Sequence, residues 1–105
     1  MRLMRLLVLF DLPVIRKDDK RNYQRFRKFL LEDGYTMLQF SVYARVTKGP
    51  DGVNTHVGRL KANLPPKGSV RALTLTEKQY AGMLFLVGKP SNQEETVGPQ
   101  LELWL

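Results

Sequence analysis

The chain has 105 residues, with 17 Lys+Arg against 10 Asp+Glu and a formal net charge of +7. That length suits one domain, and 43% apolar with 26% charged residues excludes an intrinsically disordered chain. The absence of cysteine excludes disulfides, Cys-ligated zinc, iron–sulfur clusters and thiol nucleophiles. No apolar run approaches the roughly 20 residues of a membrane span, and no signal-peptide pattern opens the chain. A cytoplasmic protein that meets something acidic is the expectation.

The elements follow from periodicity. Residues 3–10 are almost continuously apolar, as in a central strand, and Asp11-Leu12-Pro13 ends the run because Pro13 has no N–H to give a ladder. Asp18 or Asp19 is expected to cap a helix in which Tyr23, Phe26, Phe29 and Leu30 form an apolar stripe, stopped at Gly34. Residues 37–46 alternate apolar and polar side chains, the pattern of one half-buried strand. Residues 48–52 read as a turn. Val53, Val57, Leu60 and Leu64 then mark a second amphipathic helix, ended by Pro65-Pro66 and Gly68. Residues 70–76 and 79–87 read as two strands in hairpin relation. A polar, Gly/Pro-punctuated linker over 89–100 leads to a short alternating strand at 101–105.

The expected fold is α+β: a ferredoxin-like β-α-β-β-α-β sandwich, with four strands covered on one face by two helices, and an extra C-terminal strand. The second sheet face needs cover, which a symmetric homodimer would supply. Residues 1–88 form the expected domain, and 89–105 a linker whose strand can reach its own sheet or a partner's.

The charge is uneven. Residues 1–67 hold 14 basic and 6 acidic side chains, a net of +8, while residues 68–105 hold 3 and 4. Seven bases fall in 16–28 against only Asp18 and Asp19, and Arg21, Arg25 and Lys28 share the solvent side of the first helix. Such a stripe attracts polyanions, with nucleic acid ahead of acidic protein or lipid, although many basic helices are only solvated faces.

Candidate chemistry is sparse. His56 is the single histidine and reads as a boundary residue. No Ser–His–Asp set, phosphate-binding glycine loop or RNA-recognition aromatic pattern is present. Asp11 stands where a rigid central strand leaves the sheet, a favoured position for a metal-binding or catalytic carboxylate. The same residue would serve equally as a turn-former that bonds a nearby N–H. Magnesium takes one or two carboxylates plus waters and phosphate oxygens, so a metal site here requires a second Asp11 across a dimer axis.

The segments Leu9-Phe10-Asp11-Leu12-Pro13, Arg25-Phe26-Arg27-Lys28-Phe29-Leu30-Leu31, Gln39-Phe40-Ser41-Val42-Tyr43, Gly58-Arg59-Leu60-Lys61 and Leu75-Thr76-Glu77-Lys78-Gln79-Tyr80 occur in an order that resembles the Cas2 family of CRISPR-associated adaptation proteins. The Thr76-Glu77-Lys78-Gln79 element resembles the branch that accompanies type II systems. The resemblance implies a homodimer whose sheets face each other. It also implies a metal-dependent endonuclease acting on RNA or duplex DNA, with Asp11 of each subunit holding magnesium or manganese. A further implied role is spacer acquisition, in which the dimer grips double-stranded DNA and bridges copies of the CRISPR-associated integrase. On that view Arg16, Arg21, Arg25, Arg27 and Lys28 meet phosphates, and Leu101, Leu103 and Trp104 dock a partner. Phe10 stands where many members have Tyr, and the tail lacks the usual acidic-Arg-Leu-Val ending. The alternatives are a stand-alone magnesium-dependent nuclease and, from another class, a ligand-sensing regulatory module.

Overall fold

Strand β1 (Leu3–Asp11) pairs antiparallel with a strand on either side, as its near-continuous apolar sequence demands. In the computed structural model, which describes residues 2–90, it is followed by helix α1 (Lys17–Glu32). Arg16, rather than Asp18 or Asp19, is the N-cap, and Asp19 sits buried in the first turn, accepting a hydrogen bond from the Arg16 N–H at 3.3 Å. Gly34, at φ 91°, ends the helix as expected: its N–H donates to the Leu31 carbonyl while that of Tyr35 donates to Leu30.

The single strand expected over 37–46 is a hairpin of two, β2 (Thr36–Gln39) and β3 (Val42–Lys48). The chain reverses at Phe40-Ser41, with Ser41 at φ 66°. No Gly, Asn or Pro marks that turn, so the alternation ran through it unbroken. Helix α2 (Gly49–Ala62) begins earlier than its apolar stripe suggested, because Pro50 suits the first helical turn and the expected turn at 48–52 is absorbed into it.

Strand β4 (Ser69–Thr76) runs as expected, but the strand read over 79–87 is a correction. Residues Glu77–Ala81 form a short helix, α3, because the Thr76 hydroxyl accepts from the Gln79 N–H at 3.0 Å and the Gln79 side chain accepts from the Thr76 N–H at 2.9 Å. That reciprocal cap outweighs the β propensity of the apolar residues beyond it.

The two departures keep the strand count at four but change the order, because the added strand, in 36–48, precedes α2 and the lost one, after 76, follows it. The order is β-α-β-β-α-β followed by the short α3, and the four strands form one antiparallel sheet in the spatial order β2-β3-β1-β4, the ferredoxin-like arrangement. The expected strand at 101–105 lies outside the described residues.

Alternation along β1 divides the sheet. Leu6, Val8 and Phe10 enter a core with Phe26 and Leu30 of α1, Leu60 of α2, Tyr35 and Tyr43. The opposite face carries Arg5, Leu7, Leu9 and Asp11, and register places Val42, Ala44 and Val46 of β3 and Ser69, Arg71, Leu73 and Leu75 of β4 beside them. No helix of the α1–α2 layer covers that second face.

Candidate active site and nucleic-acid interface

Asp11 is exposed at the end of β1, on the face away from the helices, opposite Ser69 of β4. The scaffold beneath it is rigid. Phe10, its neighbour, points into the core, where its ring meets Phe26 at 5.2 Å, Tyr43 at 5.7 Å and Tyr23 at 6.1 Å between centroids. The Phe10 N–H also donates to the Ser41 carbonyl at 3.0 Å, tying β1 to the β2–β3 turn. Gly68, at φ 97°, passes against the Asp11 peptide so closely that a Cβ there would lie 2.6 Å from the Asp11 carbonyl oxygen. Only glycine satisfies both that contact and that backbone angle.

Among the described residues, the Asp11 side chain has no ion-pair partner, and no three His, Cys, Asp or Glu side chains gather to cage a metal. One copy therefore offers a hard cation a single carboxylate. That donor set does not hold magnesium by itself, but two copies of it fit a cation that keeps several waters.

The basic residues lie elsewhere. Arg21, Arg25 and Lys28 are exposed along the outer side of α1, with Arg27 half-buried at its flank and Arg16 exposed at its N-cap. Lys28 leans on Glu32 across one turn at 3.9 Å, too loose and too exposed to use up its charge. Because α1 packs on the core face and Asp11 points from the other, the sheet separates the carboxylate from the basic stripe. The structure brings the bases together with one another but not with Asp11. Leu101, Leu103 and Trp104 lie outside the described residues.

Two clusters were not expected from the sequence. On the open sheet face, Arg5 is 7% exposed and pairs with Glu77 of α3 at 2.6 Å, while its guanidinium lies 4.4 Å from the Tyr80 ring centroid. The signal was a lone base inside an apolar strand, which must find a partner if buried. Behind the helices, Asp33 at the end of α1 accepts from Arg59 of α2 at 2.7 Å and lies 3.2 Å from His56 Nδ1. Burial alone would raise the Asp33 carboxyl, but the bonds and charges of Arg59 and His56 outweigh it and hold the pKa below the ordinary value. His56 is thus a boundary residue in an ionic cluster.

A ferredoxin-like sandwich with a carboxylate at the end of its central strand, a bare apolar sheet face and a basic helix behind is the class these features define. The family model described as "CRISPR associated protein Cas2" matches residues 4–83, and the chain belongs to that family. It is 60% identical over 94 residues to the "CRISPR-associated endoribonuclease Cas2" of Acidovorax ebreus strain TPSY, covering 90% of this chain and 92% of that one. It is 45% identical over 86 residues to the protein of that name from Ligilactobacillus salivarius strain UCC118, covering 82% and 85%. A solved structure described as "Crystal structure of cas2" superposes with a TM-score of 0.59 at 21% identity, over 86% of this chain and 92% of that one, which supports the fold. No helix among the described residues is long and apolar enough to cross a membrane.

Proposed function

We propose that this protein is a homodimeric CRISPR adaptation subunit whose paired Asp11 carboxylates form a divalent-cation-dependent phosphodiesterase centre. The observation that carries this reading is the position of Asp11: a solvent-facing carboxylate with no ion-pair partner among the described residues, at the rim of an apolar sheet face that α1 and α2 leave uncovered and α3 covers only in part. Exposed Leu73 and half-buried Leu9, Val42, Val46 and Leu75 make that face self-complementary in chemistry, and a two-fold partner would cover it. The pairing would set one Asp11 near the other. A magnesium or manganese ion, when bound there, supplies positive charge against phosphodiester oxygens. The chain's own part is to fix the two carboxylates on a sheet floor stiffened by Phe10 and Gly68, at a rim open to the water that hydrolysis consumes. Relatives named endoribonucleases support RNA as one substrate.

The second surface supports a second role. Arg16, Arg21, Arg25, Arg27 and Lys28 on each subunit suit the phosphates of double-stranded DNA, gripping it without reading sequence, as capture of arbitrary fragments for the integrase requires. The resemblance of Thr76-Glu77-Lys78-Gln79 to the branch that accompanies type II systems supports placement there.

Separation of the two surfaces makes the test simple. Asp11→Ala is expected to abolish magnesium-dependent RNA cleavage and to leave duplex binding within about twofold of the unaltered protein, with that binding falling steeply as salt rises. Cleavage that survives the substitution would refute the active-site assignment. Affinity that stays flat from low to high salt would refute the phosphate grip.

A further inference from the structure

The open sheet face carries three cations by register: Lys48 at its far end, opposite Leu3, then Arg5, then Arg71 opposite Leu9. Arg5 is committed to Glu77 and lies over Tyr80. Arg71 is exposed and, among the described residues, has no ion-pair partner. It is also the cation nearest Asp11 on that face. Ser69 lies opposite Asp11, and Arg71 stands two residues farther along β4 on the same side. Such diagonal neighbours are about 7–8 Å apart at their Cα atoms, within reach of a long side chain.

Apart from these charges, that part of the face is apolar, with Leu7, Leu9, Val42, Ala44 and Leu73 as neighbours. Covering it removes water from Arg71 as well as from Leu9 and Leu73. A guanidinium cannot lose its proton to escape this, so it must find an anion. The nearest protein anion, Asp11, is already committed to the cation of the proposed metal centre. What remains is the anion that the cation itself attracts. A phosphodiester offers two oxygens, and the planar fork of arginine matches them in a bidentate pair, where a lysine would act only as a point charge.

We infer that Arg71 is the phosphate-binding side chain of the Asp11 centre: shared register on the sheet face away from α1 and α2 sets Arg71 one diagonal step from the strand-end carboxylate, within a long side chain's reach of a phosphodiester held there. The inference rests on the phosphodiesterase reading of Asp11 and deepens it by assigning a substrate contact. By symmetry a dimer has two such groups, flanking the carboxylate pair. Substrates whose backbone reaches the rim at Asp11 are favoured over those held only on α1, so a flexible single strand gains more from Arg71 than a duplex does.

The test uses the full chain, single-stranded RNA as probe, and Arg71→Gln, Arg71→Lys and Asp11→Ala variants. With magnesium present, Arg71→Gln is expected to raise KM for RNA cleavage by about tenfold or more, while dimerisation by sedimentation is unchanged. Arg71→Lys should recover part of that loss, as a point charge in place of a fork. A normal KM in Arg71→Gln overturns the assignment, as does faster cleavage, which would make Arg71 a plug on Asp11. Loss of the dimer would make it an interface residue and overturn the assignment too. Should the protein not cleave, or cleave equally well with Asp11→Ala, the phosphodiesterase reading fails separately. RNA affinity then decides for Arg71, by comparing Asp11→Ala with the Asp11→Ala/Arg71→Gln double variant: about tenfold weaker binding supports it, and equal binding refutes it.

Discussion

Phe10 and Asp11 are adjacent in sequence and face opposite sides of one sheet, so a single peptide links the core to the proposed chemistry. Three aromatic rings hold Phe10, and Gly68 closes the space behind the Asp11 carbonyl. The position of Asp11, exposed at the end of a rigid strand, was legible in the sequence because an apolar run closes there just before Leu12-Pro13, although the pattern left a turn-forming role open beside a metal-binding one. Arg71 was not, because residues 70–76 show strand character without showing which side of the sheet each residue takes. Arg5 was hidden in the same way. With Arg5 only 7% exposed and Glu77 its ion-pair partner, Glu77 is the side chain whose truncation leaves a charge stranded. Glu77→Ala is expected to destabilise the protein by about 2–4 kcal/mol, since breaking a buried pair costs far more than replacing it whole. An Arg5→Met/Glu77→Leu double variant should recover most of that loss in urea titrations. Equal stability of Glu77→Ala and the unaltered protein would show the pair to be idle.

At the scale of elements, the hairpin and α3 show what pattern reading sees and what it misses. Alternation over 37–46 is genuine in both β2 and β3, yet it carries no phase break at Phe40-Ser41, because Ser41 enters the left-handed region without glycine. For α3 the deciding signal was present: Thr76 and Gln79 have capping-box spacing, but the apolar residues after them suggested a strand. The two helices on the core face are tied by another device that periodicity does not report. Asp33, ending α1, binds Arg59 and His56 of α2. Its carboxyl pKa is held below the ordinary 3.8, because those partners outweigh the burial that would raise it. The folded-state value lies below the unfolded one, so the stabilisation is complete above roughly pH 4–5 and is lost as pH falls through the folded-state value. Asp33→Asn should therefore lower the urea midpoint at pH 6 and approach the unaltered protein near pH 3. A gap that persists undiminished at pH 3 would show that the cluster acts by packing rather than by charge.

For the whole molecule, the net +7 resolves into two surfaces of different character on either side of one sheet. The outer side of α1 presents bases to solvent, and the opposite sheet face presents leucines, valines, Asp11 and Arg71. A protein that grips duplex phosphates with one side and closes on its own copy with the other needs no overlap between the two. The α+β class was legible because both helices fall where their apolar stripes lie and the strand count of four survives both corrections. The patterns taken one by one run β-α-β-α-β-β, so the ferredoxin-like order rests on the 36–48 hairpin and on α3 replacing the last strand. The face that the helices leave bare followed from that count, and the proposed dimer follows from its apolar character.

In the proposed dimer, two copies meet through the sheet faces away from α1 and α2 and bring their Asp11 side chains together. Because the chain has no cysteine, one Asp11→Cys substitution in the full chain gives a single thiol per subunit, which a short bifunctional thiol cross-linker can report. Rapid, high-yield cross-linked dimers are expected from Asp11→Cys and little product from Arg21→Cys on the outer side of α1. Efficient linkage through Arg21→Cys with none through Asp11→Cys would contradict that dimer.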